Sequence, residues 1–419
     1  MIKLKHILLL LFLLWIFVFG FFNGQRFNND TVTRDYGTIL ILNIILIAVI
    51  LFVKKIQFKT RFPNFKWYYL MLFSVVVSVA FRTPFGFNIN NSFNMLFTQL
   101  LILGLSAITW RVSLKKVLDV MLLFIHIALM LCLYVHIKTG GTFEFGNHTM
   151  AGRLGGLFFF ADTAALAGFG LNIAFYLWMK YRTKVSIVSG GVFLFFLIIG
   201  DSRAVMGGVL LAFIVQYYFY LKAKRKSTKK LIIISLVTIP LYNLYKSLNS
   251  GGADVEGDFE FRTQIWSVAF VGIKNKLWTG YGDSKYYFST ITTHITDFYE
   301  QLSDPHSSYL AFVLQYGVIA FVVFIIFLVK TIKYVYKYVN PIDKGVTSFI
   351  FFWIVIGLTG GTIFNFNYTL LSLLFQFSIF GICLHPNIRT NILKLKDESL
   401  VAKKYNENES VQSLLIKNY

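Results

Sequence analysis

The chain has 419 residues, of which 56% are apolar and only 14% are charged. Soluble proteins carry about a quarter charged residues because their surface faces water, so this composition excludes a soluble globular protein and predicts an integral membrane protein. The net charge of +21 is typical of nucleic-acid partners, but the basic residues lie between apolar segments, which indicates membrane topology and predicts no nucleic-acid partner.

Apolar segments of spanning length recur along the chain. A transmembrane helix needs about 20 residues to cross roughly 30 Å of hydrocarbon. We predict twelve such helices, near residues 7–23, 37–53, 68–82, 94–110, 117–137, 156–179, 185–200, 204–221, 231–248, 307–329, 346–363 and 367–385. The predicted fold class is therefore all-α, a polytopic integral membrane protein with a single transmembrane helical domain over residues 1–385.

Basic residues predict the orientation of these helices. With the N-terminus in the cytoplasm, 29 of the 40 lysines and arginines fall in cytoplasmic segments, which are residues 1–6, 54–67, 111–116, 180–184, 222–230, 330–345 and 386–419. Because basic residues favour the cytoplasmic side of a membrane, we expect both termini inside. The segment 386–419 is then a basic cytoplasmic tail, partly disordered.

One predicted outer loop, residues 249–305, is much longer than the others. It begins with an acidic stretch that we expect to be flexible, and residues 261–277 then have the spacing of an amphipathic helix. The apolar face predicted for this helix consists of Ile265, Trp266, Ala269, Phe270 and Ile273. Gly280-Tyr281-Gly282 is expected to end the helix. Long ordered loops often carry function, so we expect the functional site on this side.

Common cofactor motifs are absent from the sequence. It has no Gly-x-x-x-x-Gly-Lys-Ser/Thr phosphate loop, no His-Glu-x-x-His and no metal-binding Cys/His spacing. Cys132 and Cys383 lie within apolar segments and predict no disulfide framework. We therefore expect no metal and no cofactor, so the energy of any reaction comes from an activated substrate or an ion gradient.

Two arginines on the predicted outer side are candidate ligands for an anion. Arg203 lies in the short connection between two apolar segments, where the alternatives are a snorkelling side chain and an ion pair with Asp201. Arg262 opens the predicted amphipathic helix, where the alternative is a surface ion pair with Glu260 or Asp258. The planar guanidinium of arginine matches phosphate oxygens bidentately.

His306 is the candidate general base. Asp304 before it has the chemistry of an N-cap, and Pro305 suits the first helical position, so we expect His306 in the first turn of a membrane helix. Histidine exchanges protons near neutral pH, as a general base must. The alternative is an interfacial histidine hydrogen-bonded to the cap. Arg153, just before another apolar segment, is either a third cation or an interfacial anchor.

Four short motifs resemble those of the O-antigen ligase and polymerase superfamily. They are Arg153-Leu154-Gly155-Gly156-Leu157-Phe158, Ser202-Arg203-Ala204, Arg262-x-x-x-Trp266 with Gly280-x-Gly282, and His306-Ser307-Ser308-Tyr309-Leu310 with Gln315-Tyr316-Gly317. The motifs occur in the order of the family and cover residues 150 to 320, and the predicted topology fits its layout. The chain departs from the family pattern at Ala204, where the family has glycine, and at Ser307, where it has asparagine.

The resemblance implies a glycosyltransferase that uses an undecaprenyl-diphosphate-linked oligosaccharide on the outer face of the bacterial cytoplasmic (inner) membrane, without metal or nucleotide. By this resemblance Arg203 and Arg262 bind the diphosphate and stabilise the charge that develops on it, and Arg153 adds to substrate binding. His306 would take the proton of the acceptor hydroxyl while the anomeric centre inverts. Gly280 and Gly282 would shape the loop.

Three functions remain as alternatives. The first is polymerisation of lipid-linked repeat units into a surface polysaccharide such as a capsule, an O-antigen or an exopolysaccharide. The second is ligation of a finished glycan to a lipid or protein acceptor. The third is a lipid-linked-glycan flippase or secondary transporter, which would place its polar site near the middle of the membrane. Besides the bilayer, the expected partners of a polymerase are the chain-length regulator and the flippase of the same pathway.

Overall fold

A computed structural model describes residues 65–80, 89–138, 140, 154, 160–200, 202–228, 253–282, 305–358, 363–364 and 370–388, together with residues 6, 7, 11, 45 and 48. This part of the chain is helical and contains no strand. Its α-helices are α1 (Phe65–Ala80), α2 (Ile89–Thr109), α3 (Leu114–Lys138), α4 (Phe160–Tyr181), α5 (Lys184–Gly200), α6 (Arg203–Ala223), α7 (Ala253–Asn275), α8 (Ser308–Tyr338), α9 (Thr347–Ile356) and α10 (Leu370–Phe377).

Nine of the twelve predicted apolar segments coincide with described helices. Three of the described helices, α3, α6 and α8, are long and apolar enough to cross a membrane, which agrees with the helical membrane protein expected from composition. The predicted segments 7–23, 37–53 and 231–248 lie outside the described residues, apart from isolated positions, and twelve spans remain a prediction.

The last two predicted spans are less regular than expected. A 3₁₀ helix over Pro341–Val346 precedes α9, which ends at Ile356 rather than near 363. The helix α10 continues as a π-helix over Ser378–Cys383, and a short 3₁₀ turn, Pro386–Ile388, follows. A buried side-chain hydrogen bond joins α9 to the π-helix: the indole Nε1 of Trp353 donates to Ser378 Oγ at 3.0 Å.

Small residues allow α4, α6 and α9 to approach closely. Gly208 of α6 lies against Phe352 and Ile356 of α9, where an added Cβ would be 3.2 Å from the Phe352 carbonyl oxygen. Further along the same pair, Gln216 Nε2 donates to Ser348 Oγ at 2.8 Å. Because residue numbers rise on α6 as they fall on α9, the two helices are antiparallel. Such small-residue contacts are the usual basis of helix packing in membranes.

Basic side chains gather at one end of this bundle, which we call the basic end. It comprises the end of α4, the start of α5, the end of α6, the end of α8 and the 3₁₀ helix, with Lys180, Arg182, Lys184, Lys222, Lys224, Arg225, Lys226, Lys330, Lys333, Lys337 and Lys344. The 3₁₀ helix is fixed there by a buried carboxylate: Asp343 accepts a 2.6 Å hydrogen bond from the Tyr176 hydroxyl and pairs with Lys180. Burial and the nearby charge of Lys222 lower the pKa of Lys344 below its ordinary value.

The amphipathic helix of the long loop is present as α7, but it begins at Ala253 instead of 261. The prediction of a flexible acidic stretch is therefore wrong from Ala253 onward, and Arg262 lies in the third turn instead of opening the helix. The predicted apolar face is also wrong at Phe270, which is 57% exposed, whereas Val268 is buried together with Ile265 and Ala269. Among the described side chains of α7, those that are buried form a narrow stripe that meets Leu314 of α8.

Candidate functional site

His306 does not lie in the first helical turn, where the sequence placed it. The helix α8 begins at Ser308 with Ser307 as its N-cap, so His306 lies before the helix and not in its first turn. At this helix start, the Ser308 amide donates to the Gly357 carbonyl oxygen at the end of α9, at 2.8 Å. The first amides of a helix have no partner within it, and here another helix supplies one.

His306 adopts an unusual backbone conformation. Its φ is +48°, in the left-handed region that residues other than glycine rarely occupy. Such a conformation costs on the order of 1–3 kcal/mol and persists only when surrounding contacts hold it. The side chain is half-buried.

One of the surrounding contacts comes from α7. The indole Nε1 of Trp266 donates to the carbonyl oxygen of Pro305, the residue before His306, at 3.1 Å. Arg262 precedes Trp266 by four residues, so both are on the same side of α7, about one turn apart. The side chain of Arg262 lies outside the described part of the structure. The helix that carries Arg262 is thus fastened to the segment that carries His306.

Arg203 is the first residue of α6, directly after the N-cap Ser202, and is partly buried. Five residues further on, Gly208 lies against Ile356. The next residue of that helix end, Gly357, binds the Ser308 amide. The start of α6 and the start of α8 are therefore at the same end of the bundle, opposite the basic end.

The chain beside Arg153 reaches the same end. Arg153 itself lies outside the described residues, but its neighbour Leu154 is fully buried, and the Leu154 amide donates to Ile199 O at 3.3 Å. Ile199 is four residues before Arg203. Sequence motifs that are more than 100 residues apart thus supply chain segments to one end of the fold.

The predicted loop glycines lie where α7 meets α8. Gly280 and Gly282 have φ of +64° and +69°, and Gly317, within α8, has φ of +80° and interrupts the helix. The amides of Tyr281 and Gly282 donate to Leu314 O at 2.9 Å and Gln315 O at 2.8 Å, and the Val318 amide donates to Leu277 O at 2.8 Å. The turn after α7 is therefore joined to α8 backbone to backbone.

Two histidines outside the four motifs lie in helix contacts. The ring of His126 packs on Phe193 of α5 with centroids 4.3 Å apart, and His136 is buried within α3. Within the ranges that the structure describes, no group of three His, Cys, Asp or Glu side chains is arranged to hold a metal ion.

Two structural residues of the site were overlooked from sequence. Ser308 binds both Gly357 and, through Oγ, the amide of Ile363 at 3.1 Å, while the Tyr309 hydroxyl donates to Ile354 O at 2.8 Å. Their only sequence signal was their place in the motif that follows His306.

Comparison with known families agrees with this arrangement. A family model described as O-antigen ligase matches residues 154–325. This segment belongs to the O-antigen ligase family. The match confirms the resemblance inferred from the motifs, begins directly after Arg153, and includes Arg203, Arg262 and His306. No curated protein matches the chain.

The match to the O-antigen ligase family implies a glycan-transferring membrane enzyme. The matched segment, residues 154–325, includes α4 through α7 and the first half of α8. Arg203 lies at the start of α6, and His306 lies just before the start of α8. Arg262 lies on α7, which packs on α8.

Proposed function

We propose that this O-antigen ligase-family protein polymerises undecaprenyl-diphosphate-linked oligosaccharide repeat units into a surface polysaccharide, at the outer face of the cytoplasmic membrane. One observation carries the proposal: the family segment 154–325 brings the start of α6, which holds Arg203, to the same bundle end as His306. The third position, Arg262, is on the helix that binds the residue before His306.

The two arginines suit a diphosphate that is a leaving group. Breaking the bond between the anomeric carbon and the phosphate oxygen leaves that oxygen with additional negative charge. Guanidinium groups bind phosphate oxygens in a planar, bidentate geometry and remain charged at all relevant pH values. Stabilisation of charge that develops in the transition state is commonly the largest single contribution to catalysis.

His306 is proposed to accept the proton of the acceptor sugar hydroxyl. The hydroxyl oxygen forms the new bond to the anomeric carbon as the bond to the diphosphate breaks, so the anomeric configuration inverts. The proton moves to the imidazole, and the lipid diphosphate leaves with the electron pair. Arg153 is proposed to contribute a further cation for the glycan or the diphosphate.

The charges of the bundle support an outward-facing site. The basic end, with Lys222, Lys224, Arg225 and Lys226 among its residues, is the end that the positive-inside rule places in the cytoplasm. The opposite end, with Arg203 and His306, is then exposed to the outer side. Lipid-linked repeat units reach this side only after translocation, so a flippase would supply the substrate and a chain-length regulator would limit the product.

Ligation of a finished glycan to a lipid or protein acceptor is the second candidate. It uses the same three residues and the same chemistry, and the family description itself favours it. Transport is less compatible with the candidate residues, because Arg203 and His306 lie at a bundle end and not midway along the helices.

Gene deletion with complementation tests the proposal. We expect the deletion strain to make single-repeat products only, and His306→Ala, Arg203→Ala and Arg262→Ala to fail to restore long chains on a polysaccharide gel. Lys226→Ala, which removes an exposed cation at the basic end, is the matched control and should restore them. Each variant is quantified in membranes by immunoblot.

The outcomes separate the candidates. Long lipid-linked chains with no attached glycan in the deletion strain would show that the protein is a ligase and not a polymerase. Full activity of all three alanine variants would exclude the proposed mechanism.

A further inference from the structure

The helix α8 exposes too short an apolar surface to span a bilayer alone. Its exposed apolar residues run from Ile319 to Val329 without an exposed charge between them, and the exposed Lys330 and Lys333 then separate them from the exposed Tyr336. Eleven residues extend only about 16 Å at 1.5 Å per residue, whereas the hydrocarbon layer is about 30 Å thick. Another element has to provide the remaining lipid-facing surface next to this helix.

The helix α7 covers α8 where this exposure stops. No residue from Ser308 to Val318 is exposed. The hydrogen bonds from Trp266 to Pro305 and from Val318 to Leu277 pair rising residue numbers on both segments, so α7 runs parallel to α8. The end of α7 thus lies about ten residues, or roughly 15 Å, along α8 from its start.

The outward side of α7 gains large apolar residues toward the end of the helix. Near its middle the exposed residues are Thr263, Gln264 and Ser267. Toward its end and in the following turn the exposed apolar residues are Phe270, Val271, Leu277 and Trp278, at 57%, 57%, 36% and 62%, and the polar Lys274, Asn275 and Thr279 are exposed among them. The apolar part of the outward side is the part deepest along α8, next to the first lipid-facing residue, Ile319.

Three backbone carbonyls at this depth accept hydrogen bonds from other segments, as a low-dielectric environment favours. The break at Gly317 removes regular helical partners from the neighbouring carbonyls. Leu314 O and Gln315 O instead accept from the amides of the turn after α7, and Tyr316 O accepts from Ser78 Oγ of α1 at 2.8 Å. Irregular backbone is tolerated within a membrane only where protein groups satisfy it in this way.

We propose that the end of α7 and the turn over residues 276–282 dip into the lipid bilayer beside α8, with Phe270, Val271 and Trp278 contacting lipid. Lys274, exposed among them, has a long stem that lets its ammonium extend to the headgroups. Tryptophan favours the membrane interface. In the proposed orientation the leaflet is the outer one, and Trp266 with its partner Pro305 stands at headgroup level, the layer that holds the phosphates of lipids.

The depth of these residues does not depend on the proposed reaction, and it can be measured directly. The native Cys132 and Cys383, both buried, are first replaced by alanine, and the full-length protein is checked for monodispersity. Single cysteines at Gln264, Ser267, Phe270, Val271 and Trp278, and at Ile319 as the lipid-facing reference, are then labelled with a nitroxide in nanodiscs. Electron paramagnetic resonance gives the accessibility of each label to oxygen, which concentrates in lipid, and to a water-soluble nickel chelate.

We expect an oxygen-to-nickel accessibility ratio several-fold higher at Phe270 and Trp278 than at Gln264 and Ser267. The ratio at Trp278 should be close to the ratio at Ile319. If the Phe270→Cys or Trp278→Cys variant does not fold, the label at Val271 is compared in its place. Equal ratios along α7 would overturn the proposal. Dipolar broadening between labels on separate molecules would also overturn it, because the apolar side would then be covered by a second copy of the chain.

Discussion

A side chain on Gly280 or on Gly317 would overlap the backbone of the opposite segment. A Cβ atom on Gly280 would lie 2.5 Å from the Gln315 carbonyl oxygen and 2.7 Å from the Gly317 nitrogen, and a Cβ on Gly317 would overlap the Trp278 carbonyl oxygen. Both residues have positive φ. The contact between the loop helix and α8 is therefore one of backbone against backbone, which only glycine permits.

Replacing Gly317 with alanine should destabilise the protein strongly. The added methyl group overlaps backbone, and a positive φ is unfavourable for alanine, so we expect a loss of about 3 kcal/mol or more. Thermal unfolding in detergent measures it. Gly191→Ala is the matched control, because nothing lies within 4 Å of a Cβ at this position of α5, and it should leave the melting temperature unchanged or raise it. Equal stability of the two variants would contradict the backbone contact.

Replacing Trp266 with phenylalanine should reduce glycan transfer while preserving folding. The variant keeps an aromatic ring but loses the hydrogen bond to Pro305 O. The net contribution of a hydrogen bond to stability is about 1 kcal/mol. Without it the observed conformation of His306 becomes less populated, and we expect the rate of glycan transfer to fall roughly fivefold. Transfer from purified lipid-linked substrate measures it. Trp278→Phe, which alters an exposed tryptophan of the same segment, should retain activity; a fall of the same size would show a general packing effect.

Conservative replacement of the arginines tests the geometry of phosphate binding. Arg262→Lys and Arg203→Lys keep the charge but lose the planar pair of donors, so we expect activity to fall roughly tenfold or more. The initial rate of glycan transfer is the measurement, and Lys226→Arg at the basic end is the control. Full activity of both lysine variants would show that charge alone suffices at these positions.

Asp343 should be important for stability and not for catalysis. Asp343→Asn leaves Lys180 without its buried carboxylate partner, and breaking such a pair costs several kcal/mol when both groups are buried. Because Lys180 remains one-fifth exposed, we expect a smaller loss of about 2 kcal/mol. Unfolding in detergent measures it.

The exposed pair of Lys115 and Asp119 provides the comparison for this loss. Asp119→Asn should cost less than about 0.5 kcal/mol, since exposed ion pairs contribute little. The protein that remains folded in the Asp343→Asn sample should transfer glycan at the normal rate, because the candidate site is at the opposite end of the bundle. A rate defect without a stability defect would contradict this assignment.

The helical fold could be predicted because apolar segment length is a local property. A segment such as 117–137 has to form a helix in lipid, since no other structure of a single segment satisfies its backbone groups, and α3 is found there. The motif residues likewise follow from the sequence, because chemical type and order along the chain are enough to relate Arg203, Arg262 and His306 to a family.

Boundaries and faces could not be predicted, because they depend on contacts between distant segments. His306 precedes its helix, and at the helix start the Ser308 amide finds a partner at Gly357. Phe270 is exposed because the stripe on α7 that meets α8 is narrow, and a count of apolar residues does not show which of them has a protein neighbour.

The sequence by itself determined that the chain is a helical membrane protein and which residues are its candidate catalytic groups, since hydropathy and residue type require no tertiary partner. Only the tertiary structure decided that α6 and α8 start at one end, that Trp266 binds the residue before His306, and that Gly317 interrupts α8. These features arise from hydrogen bonds and close packing between segments far apart in the chain, whose partners are brought together only by folding.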